Sequence, residues 1–145
     1  MIVSHAQRYK VALVLLLLIA TYPLETTVVP AWRIRVVDEQ ARPYARLKVM
    51  QAWKHYTLEL GDSENMEDRW TDNSGYVEFP ARTIKVTIIG RALRIFTTFV
   101  SVVLHGSVGI HADLAAVGPN GYKSVEYVPG KSPPGQLVLP RNEKQ

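Results

Sequence analysis

The amino-acid sequence predicts an all-β protein: a single β-sandwich of about seven short strands, preceded by an N-terminal hydrophobic helix. Three observations carry that prediction. From Trp32 onward, apolar and polar residues alternate in short runs. Clusters of Gly, Pro, Asn and Asp separate these runs at intervals of roughly ten residues. Ahead of them stands one unbroken apolar run, Val11 to Ala20. The chain has 145 residues, 47% apolar and 21% charged, which suits one ordinary folded domain. A barrel enzyme of roughly 250 residues is excluded. With no cysteine there is no disulfide, no thiolate nucleophile and no Cys-ligated metal.

Residues 1–31 read as a signal peptide or a membrane anchor. Arg8 and Lys10 precede the apolar run with no acid among them. A basic start followed by about 7–15 apolar residues is the secretory pattern. Cations at that end also hold it in the cytoplasm. The run can be extended through Tyr22 and Pro23 to Leu24, so residues 11–24 are the segment that would act as a transmembrane helix. It is short against the ~20 residues of a full span. Small residues for a signal peptidase occur at Val29-Pro30-Ala31, just before Trp32. Cleavage and retention both stay open. A buried helix is the third reading, and a run without a polar face fits it poorly. The first two place the protein outside the cytoplasm, secreted or periplasmic, with the membrane or export machinery as partner.

The sandwich is expected over residues 32–140, followed by a polar tail, 141–145. In WRIRVV, Trp32, Ile34 and Val36 face one way and Arg33 and Arg35 the other. Pro43 sets a turn. In ARLKVMQAW, Leu47, Val49 and Trp53 point inward and Arg46, Lys48 and Lys54 outward. GDSENMEDR, from Gly61 to Arg69, reads as a solvated acidic loop. A turn at Asp72 to Gly75 leads into a strand with Val77 and Phe79 inward, ended by Pro80. Ile84, Val86 and Ile88 share a face of the next strand, which Gly90 breaks. Arg91 to Leu104 is rich in β-branched and aromatic residues and reads as one long strand or two, although a helix is possible. A strand at Val108–Ala112, an ambiguous stretch to Val117, a hairpin at Asn120-Gly121 and two short strands complete the pattern. The expected core joins Trp32, Ile34, Val36, Leu47, Val49, Val77, Phe79, Ile84, Val86 and Ile88.

Two stretches resemble a known family. VVDEQARPYARLKV is similar to the opening of carboxypeptidase-regulatory-like domains, V-x-D-x-x-G-x-P-x-x-G-A-x-V, at Val36, Asp38, Pro43 and Val49. Ala41 and Arg46 stand where that family usually has Gly, and Leu47 where it has Ala. TDNSGYVEF resembles the family's T-D-x-x-G-x-x-x-F hairpin at Thr71, Asp72, Gly75 and Phe79, and Gly121-Tyr122 echoes a late G-Y. The resemblance spans about residues 32–128 and implies a prealbumin-like, Ig-like sandwich. It also implies a non-catalytic accessory, adhesive or scaffolding module. The prealbumin-like 5-hydroxyisourate hydrolases end in a Y-R-G-S-type motif, whereas this chain ends LPRNEKQ.

Chemistry-bearing residues are few. His5, His55, His105 and His111 show no H-E-x-x-H spacing. His105, His111 and Asp113 would share a face if one straight strand carried them, the minimum for a metal site. HGSVG, 105–109, fails the G-x-S-x-G spacing of a hydrolase elbow. Gly61-Asp62-Ser63 is a three-letter match to an esterase motif in a polar loop. Asp62, Glu64, Glu67 and Asp68 could gather around calcium, but they lack the D-x-[DN]-x-[DN]-G pattern. Asp72 to Gly75 reads as a hairpin turn rather than a site. Among Tyr44, Trp53, Tyr56, Trp70 and Tyr76, Trp70 and Tyr56 are the candidates for an exposed carbohydrate- or peptide-binding face. Lys and Arg alternate with apolar residues instead of clustering, which speaks against nucleic acid despite a net charge of +4. The expectation is therefore a non-catalytic extracytoplasmic module with no catalytic, cofactor or metal residues. The alternative is a small hydrolase or a metal-binding extracytoplasmic protein.

Overall fold

The computed structural model describes residues 5–59, 61, 63–105, 108–119 and 121–140. It is a β-sandwich-like, mostly-strand fold with two helices. Helix α1 runs His5–Ala20. Strands β1 (Pro23–Val29), β2 (Trp32–Val37), β3 (Lys48–His55), β4 (Asn65–Trp70), β5 (Tyr76–Phe79) and β6 (Arg82–Thr87) follow. Helix α2 (Ile88–His105) leads to β7 (Ile110–Gly118), β8 (Gly121–Glu126) and β9 (Gln136–Val138).

Two sheets enclose the core. One has the order β5-β2-β9, with β9 parallel to β2, and the other β4-β3-β7-β8, antiparallel throughout. β1 and β6 form a separate antiparallel pair. Trp32, Ile34, Val36, Val77, Phe79 and Leu137 from the first sheet meet Val49, Ala112, Leu114 and Ala116 from the second. Leu47, Trp53 and Ile84 pack partly buried against them. The Trp32 indole N–H donates to Pro134 O at 2.8 Å, so the ring is buried with its one donor satisfied.

The turn between β4 and β5 has the expected local conformation, but the two strands lie in different sheets and do not pair, so it carries the chain between sheets instead of closing a hairpin. Gly75 takes φ 81°, and Asp72 Oδ1 accepts from Ser74 N at 2.8 Å and Tyr76 N at 2.9 Å. Thr71 reaches into the preceding turn, donating to Tyr44 O at 2.5 Å and accepting from Leu47 N at 2.9 Å. Asp38, buried, holds the 38–43 turn. Its carboxylate accepts from Gln40 N, Arg42 N and Arg42 Nε.

Several expectations are corrected. The folded unit begins before Trp32: β1 pairs with β6, and Val28 and Val29 are 1% and 0% exposed in the core. Residues 23–29 are therefore a strand whose last two residues pack in the core, and residues 21–24 are not helical. Gly61–Arg69 is only partly loop, because Asn65–Trp70 is a strand paired with β3 along its length. Arg91–Leu104 is helix, not strand, and Gly90 lies inside its first turn. Ile88 opens that helix and is exposed rather than core. Finally, Lys54 shares the outer face with Lys48 but is buried there: its Nζ donates to Gly61 O at 2.7 Å beneath the loop that follows β3.

Candidate functional site

Three surfaces hold the residues that could do something. The first is the pair of helices. α1 carries Val11 and Leu13 to Ile19 with every one of these side chains more than half exposed, on all sides of the helix. At a rise of about 1.5 Å per residue it is roughly 24 Å long. Among the described residues no helix is long and apolar enough to cross a membrane. The transmembrane helix expected over residues 11–24 is thus not what the structure holds.

α2 has its polarity reversed relative to a helix packed on a water-soluble domain. Arg91, Arg94 and Thr98, spaced i, i+3, i+7, form the partly covered stripe, while Leu93, Ile95, Phe96 and Phe99 face outward. Phe96 is 70% and Phe99 77% exposed. The arginines hold this orientation. Arg91 Nη2 donates to Leu24 O at 2.7 Å and to Thr26 Oγ1 at 2.6 Å, and its Nε to Val86 O at 3.3 Å. Arg94 Nη1 donates to Leu58 O. The end of α1 meets the start of α2 along an apolar seam of Leu15, Leu18, Ile19, Tyr22 and Ile88. Sequence reasoning missed this surface because the β-branched content of α2 favours strand. The 3.6-residue spacing of Arg91, Arg94 and Thr98 was the available signal.

The second surface is the outer face of the four-stranded sheet. Lys48, Met50, Asp68, Ala115, Val117 and Tyr122 line a groove of about 190 Å³. Lys48 Nζ and Asp68 Oδ2 pair at 2.6 Å. Trp70, opposite Lys48 in register, is 65% exposed. Tyr56, by contrast, is half-buried over Lys54 and donates to Glu64 Oε1 at 2.9 Å, which pushes its phenol upward. Tyr44 and Trp53 belong to the core or its margin, and Tyr76 lies under Arg33 and Arg35.

The third surface is polar. His111 Nε2 lies 3.8 Å from Asp113 Oδ1 and its Nδ1 3.5 Å from Glu126 Oε1. Burial raises the Asp113 carboxyl above its ordinary value, opposed by the His111 charge. His105 ends α2 while His111 stands on β7, so no single strand carries both. Among the described residues no group of three or more His, Asp or Glu is arranged to hold a metal ion. Asp62, Gly106, Ser107 and Asn120 lie outside the described residues, and with them parts of the Gly61-Asp62-Ser63 and HGSVG stretches. The described residues of the acidic stretch, Glu64, Glu67 and Asp68, turn to different partners. Asp68 faces the groove, while Glu67 turns to Arg69 Nε at 2.6 Å and to Arg82 Nη2. Those two arginines hold the Glu67 carboxyl below its ordinary value. Arg82 also stacks 4.1 Å from the Trp53 ring and donates to Gln51 Oε1 at 2.8 Å.

No protein-family model, curated protein or solved structure matches the chain.

Proposed function

We propose that this chain is a non-catalytic, prealbumin-like module of the extracytoplasmic space, held at the membrane by its N-terminal segment. The observation that carries the reading is the part of α1 from Val11 onward: apolar on every side, exposed on every side, and preceded within the helix by Arg8 and Lys10. Such a surface is stable in hydrocarbon and costly in water. The segment stays attached in this reading, because cutting after Ala31 would remove Val28 and Val29 from the core and leave β6 unpaired.

The likeness to carboxypeptidase-regulatory-like domains draws support from how its two motifs meet. Thr71 clasps the turn at 44–47, and a Cβ on Gly75 would lie 2.9 Å from Pro43 Cβ. Ala41 and Arg46, which stand in the family's glycine positions, take φ 62° and 54°. Glycine would fit that backbone region best.

The test is a fusion of residues 1–35 to a reporter active only outside the cytoplasm, beside fractionation of the full chain. Reporter activity and a full-length chain in the membrane pellet are expected. A cytoplasmic reporter, or a mature chain starting at Trp32, would overturn the reading.

A further inference from the structure

We infer that α2 is a second membrane-contacting element, whose outward stripe of Leu93, Ile95, Phe96 and Phe99 lies in the interfacial zone of a lipid bilayer. This rests on the reading of α1 as membrane-held and adds to it the orientation of the sandwich.

The first argument is the reversed polarity. A helix on a water-facing domain turns its charges out and its apolar stripe in. Here two arginines are turned in and spend their donors on backbone oxygens of neighbouring segments, Leu24, Val86 and Leu58. That pattern is stable when the medium outside the helix is apolar. Carbonyls satisfy the guanidinium groups on the protein side, and no charge is left to desolvate on the other.

The second argument selects lipid over protein. A protein partner or a second copy would cover one side of one helix. α1 is exposed around its whole circumference, and its apolar surface runs through Leu15, Leu18 and Ile19 into Ile88 at the start of α2. A medium that surrounds α1 therefore reaches α2 without a break. Neither helix contains an acidic residue, and α1 opens with Arg8 and Lys10, so nothing in them repels anionic headgroups. Helices with an apolar face and cationic flanks lie in the interface plane with that face sunk about 5–10 Å.

The experiment uses the absence of native cysteine. Leu16→Cys, Phe99→Cys and Lys123→Cys are made singly in the full chain. Each is labelled with an environment-sensitive fluorophore and reconstituted in vesicles of phosphatidylcholine and phosphatidylglycerol. All three positions are exposed, so the label does not disturb the core. The probes at 16 and 99 are expected to shift to the blue, to be quenched by lipid-borne nitroxide and to be shielded from aqueous iodide. The probe at 123 is expected to do the reverse. A lipid signal at 16 with an aqueous signal at 99 overturns this inference and leaves the tether standing. Aqueous signals at both overturn the two together. A blue shift at 99 that needs no lipid and grows with protein concentration assigns the face to a second copy and overturns the inference.

Discussion

Ala41 and Arg46 hold left-handed backbone with a Cβ in the way, which costs roughly 1–2 kcal/mol each and is partly offset by their smaller loss of chain freedom. Ala41→Gly and Arg46→Gly should each stabilise the domain by about 0.5–1 kcal/mol, read as a rise in Tm. Gly75→Val should do the opposite. A Cβ there meets Val36 O at 2.7 Å, on top of φ 81°, and a loss of at least about 2 kcal/mol is expected from denaturant titration. Two carboxylates work in opposite senses with pH. Glu67 is depressed by Arg69 and Arg82, so its contribution is present above the ordinary value of 4.5 and is lost as pH falls through its lower folded value. Asp113 is raised by burial, so it favours the folded state below the ordinary value of 3.8 and weakens it as pH climbs through the raised one. Asp113→Asn should therefore gain in Tm over the native chain as pH rises from 3.8, and Glu67→Gln should lose in Tm above 4.5 and converge on it below. Parallel melting curves from acid to neutral pH check both signs.

Among the elements, β1 makes the sharpest prediction. A chain starting at Thr21 keeps β1 and should fold, whereas one starting at Trp32 loses two valines worth about 1.5–3 kcal/mol of burial each and should be largely unfolded by circular dichroism. Strands with one face in the core were legible in the sequence because the alternation of WRIRVV, KVMQAW and YVEF mirrors their two environments. β4 was not, because both of its faces carry charge: Glu67 meets Arg82 on one side and Asp68 meets Lys48 on the other. β1 was hidden by its neighbour, since PLETTVV follows an apolar run and reads as its continuation. α2 was lost to propensity, because Ile, Val, Thr and Phe favour strand in the abstract. The candidate site was legible at α1 and illegible at α2 for one reason. A run apolar on all sides shows without knowing the fold, whereas a reversed face needs the domain to define what is inside. Arg91→Ala should test how α2 is held. Removing its donations to Leu24 O and Thr26 Oγ1 should make the α2 amides exchange faster with solvent while those of β3 and β7 keep their protection.

For the molecule as a whole, the two apolar helices lie together beside the β1–β6 pair, which directly follows α1 and directly precedes α2. Attachment through such a surface rests on burial of hydrocarbon, not on pairing of charge, and screening by salt leaves it nearly untouched. Membranes washed in high salt should accordingly retain the native chain. A double Phe96→Asp/Phe99→Asp variant lacking residues 1–20 should remain in the supernatant at any ionic strength. Release of the native chain by salt alone would point to headgroup charge as the dominant force and would count against both helices being sunk in lipid.

The parallel pairing of β9 with β2 has a consequence in time. The central strand of its sheet gains its second neighbour from far along the sequence: Trp32 and Pro134, whose bond closes that corner, are 102 residues apart. Loop closure of that span comes before any reward from the contacts it makes, which places folding at the slow, millisecond-to-second end for domains of this size. A ribosome must have released the chain through β9 before the core can close. Until then the growing chain remains extended enough to be threaded.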